Sequence, residues 1–479
     1  MQEKIEETSS GHAPTEIDGA LEAADTSDYV LIDPLVEKRI IAKFDKFMMP
    51  QMALLMLMAY LDRSNIGNAR VFGYEAGLGL TGNQFGNIST LFYPAFVLFE
   101  IPWVMAVKRF GANLVLAIVM VGWSVVTLGG GFIQNYHQAL TLRLLLGAFE
   151  GALFPCLAFM ISTIYTVDQQ GKRIGVLYAA IALSGAFGGL ISYGIQLMGD
   201  RQGLAAWRWL FIIEGCVSIV MGAALWLTLP RNAQTAWFLT IKETEVMKAR
   251  MQRDAIYSGE EKFSWVYVKM AMSDPLIYLG GIALFASGIP LFGFGTFLPT
   301  IVVGLGYTSL QANYLSIPVY VFATIVLCFV AWVSDKTKTR GVIAIMIPIP
   351  VLIGYSIVLG TDNNGAGLFA MFLIGSVYTY NTVVVTWVIN NLQNEHVRSV
   401  GIPLFVAIAN SSGIASSQIY PATESPRFIK GNSISLGMEF VALICVGLIY
   451  LLLRRRNAKS ALVTDNIDDV KQSNFKYTM

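Results

Sequence analysis

Two arginines and two carboxylates interrupt stretches that are otherwise apolar enough to lie in a bilayer. Asp62 and Arg63 stand in YLDRSN, and Arg143 and Glu150 in QALTLRLLLGAFEGALFPCLAFM (138–160). A charge at mid-membrane costs roughly 2.5–3.5 kcal/mol on insertion scales, so it is kept where it faces a polar cavity or a partner. Seven residues along a helix is about 700°, which puts Arg143 and Glu150 on one face. Gly147 lies between them and leaves a groove there. Adjacent residues project about 100° apart, so Asp62 and Arg63 face different neighbours. An arginine's planar fork binds carboxylate bidentately and stays charged. A buried carboxyl that loses its arginine to an incoming anion takes up a proton. Two readings follow: an anion site whose carboxyls exchange protons, or a fixed ion pair locking two helices. For Arg63 alone the plainer reading is a side chain snorkelling to the end of its helix.

The helices that must position these groups are visible in the composition. The chain has 479 residues, 55% hydrophobic and 14% charged, with a mean hydropathy of +0.57. Soluble globular chains carry about 25% charge, so that class is excluded. Cys156, Cys216, Cys328 and Cys445 sit apart in apolar runs, and His12, His137 and His396 are scattered. No disulfide framework, metal site, cofactor or nucleophile–base pair is therefore expected, and an enzyme is disfavoured. The net charge of +1 says nothing about partners; no nucleic acid is expected among them. Residues 1–35 are polar and acidic, so no signal peptide is expected.

Apolar runs fall at about 47–67, 84–106, 112–131, 138–160, 174–197 and 208–229, then at 276–300, 312–333, 341–360, 367–391, 400–421 and 434–453. Each is long enough to cross a hydrocarbon core as a helix. The expected fold is all-α and integral to the membrane, twelve transmembrane helices in two six-helix halves. The expected plan is a disordered cytosolic tail (1–45), a first bundle (46–229), a cytosolic linker read as a solvated helix (230–275), a second bundle (276–455) and a second tail (456–479). If the amino terminus is cytosolic, the inner segments hold 26 of the 33 Lys and Arg and the outer loops five: Arg70, Arg201, Arg208, Arg427 and Lys430. That bias puts both termini in the cytosol. The basic turns VKRFGANL and VSDKTKTRG recur about 227 residues apart, as in the duplicated plan of many secondary transporters.

Over residues 45–455 this plan resembles the major facilitator superfamily. AWVSDKTKTR (331–340) is similar to its loop signature, with Asp335 and Lys336 matching, Arg340 among the basic residues that follow, and Ala331 replacing a glycine. In the first-half copy Lys108 replaces the aspartate. YLDRSNIGNA (60–69), RLLLGAFEGALFP (143–155), WRWLFIIEG (207–215) and PRFIKGNSIS (426–435) together resemble the anion:cation symporter family, in particular its fungal allantoate permease branch. SGAFGGLIS has Gly185 where the drug–proton antiporter signature has proline.

The resemblance implies proton-coupled import of a small organic anion, a carboxylate such as a vitamin or ureido acid, by a monomer in the plasma membrane. It implies that Arg63 and Arg143 hold the anion and that Asp62 and Glu150 carry protons. Tyr60, Tyr93, Thr386, Trp387 and Asn410 are read as an aromatic wall with neutral hydrogen-bonders for the substrate's body, with ordinary helix packing as the plainer reading of each. Asp335, Lys336 and Arg340 would form a gating loop. Glu100 and Glu214 are read as structural partners near span ends. An exporter, a uniporter and a non-transporting receptor remain as alternatives.

Overall fold

The computed structural model describes residues 33–258, 265–392, 395–464 and 478. Among the described residues every membrane-crossing element is a helix, because a backbone in hydrocarbon must satisfy its polar groups within each segment. The first half crosses on α2 (Met49–Arg70), α3 (Gln84–Phe110), α4 (Ala112–Gly130), the pair α5 (Tyr136–Glu150) and α6 (Leu153–Ile164), α7 (Val167–Met198) and α8 (Ala206–Thr228). The second crosses on α11 (Pro275–Gly304), α12 (Ser309–Thr337), α13 and α14 (Arg340–Met346, Pro348–Gly360), α15 and α16 (Asn364–Ile374, Val377–Asn390), α17 and α18 (Glu395–Asn410, Ser412–Ser416) and α19 (Ile429–Thr464). Among the described residues ten spans qualify by length and hydropathy alone. The charge-bearing α2 and the broken α17–α18 complete twelve, the expected all-helical fold.

Within the first half α4 packs on α8, α3 on α5, and α2 on α7; within the second, α11 packs on α19 and α17. The halves meet along α7 with α12 and α2 with α11. Their side-chain hydrogen bonds gather at one end of the spans. Arg70 donates to the carbonyl of Tyr420 at 3.3 Å, with its guanidinium over the rings of Phe85 and Phe297. Gln418 bonds Asn83 and donates to Asn87 and Thr90, and Asn313 donates to Gln196. Among the described residues no such bond joins the halves at the other end.

Two expectations need correcting outside the spans. Residues 34–45, expected within a disordered tail, belong to a packed helix, α1 (Pro34–Phe47). Asp33 caps it, Pro34 opens it, and Ile40, Ile41 and Phe44 bury one stripe. Residues 1–32 and 465–477, which hold most of the expected tails, lie outside the described residues. The linker does form a helix, α9 (Ile241–Ser258), followed by the short α10 (Trp265–Ser273); residues 259–264 lie outside the described residues. Yet α9 is not merely solvated. Met247 and Arg250 are buried, Lys43 pairs with Glu243 at 2.7 Å, and Glu37 with Arg250 at 3.0 Å. The linker thus straps α1 to the first half.

Candidate functional site

A narrow cavity lies between the halves, and Arg63 is the one arginine or lysine that lines it. Arg63 projects from α2, three residues after Tyr60, so the two side chains share a face. Its guanidinium stacks 4.4 Å from the Tyr60 ring, 4.8 Å from Phe92 and 4.9 Å from Phe96. Its Nε and Nη2 donate to one oxygen of Glu150, at 3.3 and 3.1 Å. The other Glu150 oxygen is buried without a hydrogen bond. Three aromatic faces and one carboxylate hold the cation between the halves.

The rest of the wall is aromatic and comes from both halves. Tyr60, Tyr93 and Tyr178 belong to the first half; Phe292, Tyr320, Tyr378 and Asn381 to the second. Tyr93 meets Phe292 edge-on at 5.4 Å, and Tyr320 meets Tyr378 at 6.2 Å. An anion anchored on Arg63 would have its body among flat, weakly polar faces. Of the residues singled out in the sequence, Tyr60, Arg63, Tyr93 and Glu150 are therefore brought together.

The helical step of 100° turns Asp62 away from that cavity, into the first half. There Asp62 and Arg143 line a second pocket with Tyr74, Thr127 and Phe211. Arg143 and Glu150 do share the buried face of α5, and Gly147 is the notch between them, since a Cβ there would overlap the carbonyl of Phe92 on α3. Glu150, however, takes Arg63 as its ion-pair partner rather than Arg143. Among the described residues Arg143 has no carboxylate within ion-pair distance. Glu214, expected to be a structural partner of a charge, faces the carboxyl of Asp62, which in turn faces the indole of Trp123. None of the three makes a hydrogen bond of ordinary geometry. This carboxyl pair is fully buried among α2, α4 and α8.

The second-half residues read from sequence lie elsewhere. Thr386 sits about 7.5 Å further along α16 than Asn381, at a helical rise of about 1.5 Å per residue, and donates to the carbonyl of Thr382. Trp387 turns into the core of the second half, and its indole N–H donates to the carbonyl of Thr478 at 2.8 Å. Asn410 ends α17 at the bend before α18. None of the three lines the cavity around Arg63. Tyr178, Phe292, Tyr320, Tyr378 and Asn381 do, and were missed; Tyr378 and Asn381, three residues apart in an apolar run, carried a spacing signal, whereas Tyr178, Phe292 and Tyr320 stand singly in theirs. Asp335 pairs with Arg340 at 2.9 Å inside its own loop, and Lys336 lies over the ring of Trp332 at 5.0 Å.

The sequence profile of the Major Facilitator Superfamily matches residues 52–417. An uncharacterized transporter of Schizosaccharomyces pombe is 39% identical over 431 residues, 89% of this chain and 86% of that one. The high-affinity nicotinic acid transporter of Saccharomyces cerevisiae is 31% identical over 436 residues, 91% of this chain and 81% of its own. The inward-facing, unoccupied structure of a bacterial homologue of the human lysosomal transporter Spinster superposes with a TM-score of 0.64 at 13% identity, covering 88% of this chain and 97% of that one. A twelve-helix fold with a cavity between its halves, a profile match across both and transporters among its relatives lead to one assignment: the chain is a membrane transporter, not an enzyme, and belongs to the major facilitator superfamily.

Proposed function

We propose that the protein imports a small organic anion, a monocarboxylate, with protons by alternating access, as an anion:cation symporter of the allantoate permease type. The observation that carries this reading is Arg63, held between the halves by three aromatic rings and by Glu150. Its resting counter-charge is a carboxylate on a neighbouring helix, so an incoming carboxylate can take that place while Glu150 accepts a proton. Binding then leaves the net charge of the site unchanged. This matters because moving one elementary charge across 100 mV takes about 2.3 kcal/mol. A monoanion entering against an inside-negative potential needs one proton to cross without electrical work.

Arg143, Asp62 and Glu214 form the second element of the mechanism. Arg143 lines the pocket of Asp62, whose carboxyl faces that of Glu214, and two carboxyls this close hold a proton between them more readily than both give it up. Asp62 is covalently next to Arg63, so a change of charge there moves with the anion site. The relative that transports nicotinic acid supports a small aromatic or heteroaromatic acid as one substrate to test, and the tyrosine-rich wall suits a flat ring. The excess of Lys and Arg on one set of loops supports cytosolic termini. With that orientation the closed end at Arg70 faces outward and the state is inward-facing. We place the protein in the plasma membrane as a monomer.

The test is radiolabelled uptake of a carboxylate panel, nicotinate included, with and without a protonophore, with counterflow measured in parallel. Accumulation that the protonophore abolishes supports symport. Saturable uptake that never exceeds equilibrium points to a uniporter, and binding without counterflow to a receptor.

A further inference from the structure

One carboxyl in the membrane takes no part in the site above. Glu439 lies on α19, ten residues after Ile429, so about 15 Å below the start of that helix and near the middle of a core about 30 Å thick. It is 0% exposed, and neither carboxyl oxygen has a hydrogen bond of ordinary geometry. Its neighbours are uncharged: the Ser287 hydroxyl of α11, itself unpaired, with Tyr355 of α14 and Tyr380 of α16. Among the described residues no lysine or arginine faces it from any helix packed on α19; Cys445, which also lies near Tyr380, is the remaining titratable group. A carboxylate sealed in hydrocarbon without a counter-ion is costly enough to be carried as the neutral acid.

The surroundings supply a route for that proton. Asn432, Ser435 and Glu439 fall at i, i+3 and i+7, one face of α19. The Tyr420 hydroxyl bonds Ser435 at 3.2 Å and donates to Asn432 at 3.3 Å, and Asn432 donates to the carbonyl of Arg427 at the rim. Tyr355 neighbours Ser435, Tyr420 and Glu439, and its buried hydroxyl makes no hydrogen bond of ordinary geometry to any of them. We propose that Glu439 is a second proton-binding site, loaded from the Arg427 rim through the hydroxyls of Tyr420, Ser435 and Tyr355. A hydronium ion that takes the place of Asn432 at the Tyr420 hydroxyl gives that hydroxyl its proton and leaves as water; the Tyr420, Ser435 and Tyr355 hydroxyls each pass their own proton inward as Tyr355 turns into hydrogen-bond reach, and the last proton neutralises the Glu439 carboxylate. Two of its neighbours stand on helices that line the cavity: Tyr380 precedes Asn381 on α16, and Ser287 lies one turn before Leu291 on α11. Within the symport reading, a second proton would give each imported monoanion a net positive charge.

The test needs no substrate, so its failure is distinct from a failure of the uptake reading. Full-length protein in nanodiscs is taken from mildly acidic to mildly alkaline pH while the infrared band of protonated carboxyls is followed. Expected is a band that disappears on alkalinisation, is missing in Glu439→Gln, and responds several-fold more slowly in Ser435→Ala and Tyr420→Phe. Glutamine has nearly the size and neutral charge of the protonated acid, so this variant folds. A Glu439 band that persists unchanged across the range overturns the proposal in favour of a permanently neutral structural acid. A band that titrates at wild-type speed in both hydroxyl variants overturns the route.

Discussion

Replacing Glu150 by glutamine separates the two jobs that the carboxylate holds at Arg63. Arg63 reaches one Glu150 oxygen at 3.3 and 3.1 Å, longer than the roughly 2.7–2.9 Å of strong charge-assisted bonds. The pair therefore belongs at the low end of the roughly 1.5–3 kcal/mol that a hydrogen bond to a charged group contributes net. A substrate carboxylate must displace this bond. In Glu150→Gln the competing charge is gone, so affinity should rise about tenfold, the equivalent of about 1.4 kcal/mol. At acidic pH, where wild-type Glu150 is already protonated, the two proteins should bind alike. Wild-type affinity should thus weaken as pH rises while that of the variant stays flat. The free variant also carries an uncompensated buried guanidinium, and losing one partner of a buried pair destabilises by about 3–5 kcal/mol. Its melting point should fall, and substrate should restore it by more than in wild type. Equilibrium binding to purified protein across pH, with melting curves alongside, reads all of this. Uphill uptake should be lost while exchange persists. Binding that weakens in Glu150→Gln at every pH would refute the reasoning, because Glu150 would then be holding Arg63 for the substrate rather than competing with it.

Arg63→Lys should lose at least tenfold in substrate affinity, since an ammonium offers neither the planar fork nor the stack on Tyr60, Phe92 and Phe96; binding assays check it. Arg143→Gln should leave affinity within a few-fold of wild type but displace the pH dependence of uptake, because Arg143 lies in the pocket of Asp62 and not in the cavity of Arg63. Gly67→Ala should hinder closure of the Arg70 end, because the added Cβ would overlap the Thr296 carbonyl, a backbone atom that cannot swing aside; higher labelling of a cysteine placed at Gln418 and lower uptake are the readouts. At the strap, burial of Glu243 opposes ionisation, but the Lys43 ammonium and the Thr240 N–H and hydroxyl outweigh it and hold this carboxyl below its ordinary value. Its contribution is then present above the ordinary carboxylate range and lost as pH falls through the depressed value. Glu243→Gln should lower the melting point at neutral pH, and the difference from wild type should vanish in strong acid.

Much of the architecture is written locally. A run of apolar residues long enough to cross a bilayer forms a helix whatever its neighbours do, so each of the twelve runs coincides with an observed span, though α7 starts seven residues before its run and α19 continues eleven residues past its own. The helical step is equally local: it put Asp62 and Arg63 on different faces, and Arg143, Gly147 and Glu150 on one. The charged groups of the first half were visible because charge in hydrocarbon stands out. Glu439 stood out equally in its run and was passed over. What no single helix determines is which face meets which. Glu150 finds Arg63, 87 residues earlier in the chain, instead of Arg143 two turns away, because α2 and α5 bring those faces together. Trp387 looks like a wall residue in the sequence, but a turn of 100° from Thr386 sends it into the core, and Tyr378 and Asn381 reach the cavity instead. Hydrophobicity is a property of a segment, whereas the facing of two segments depends on the packing of every helix between them, and only the assembled bundle decides it.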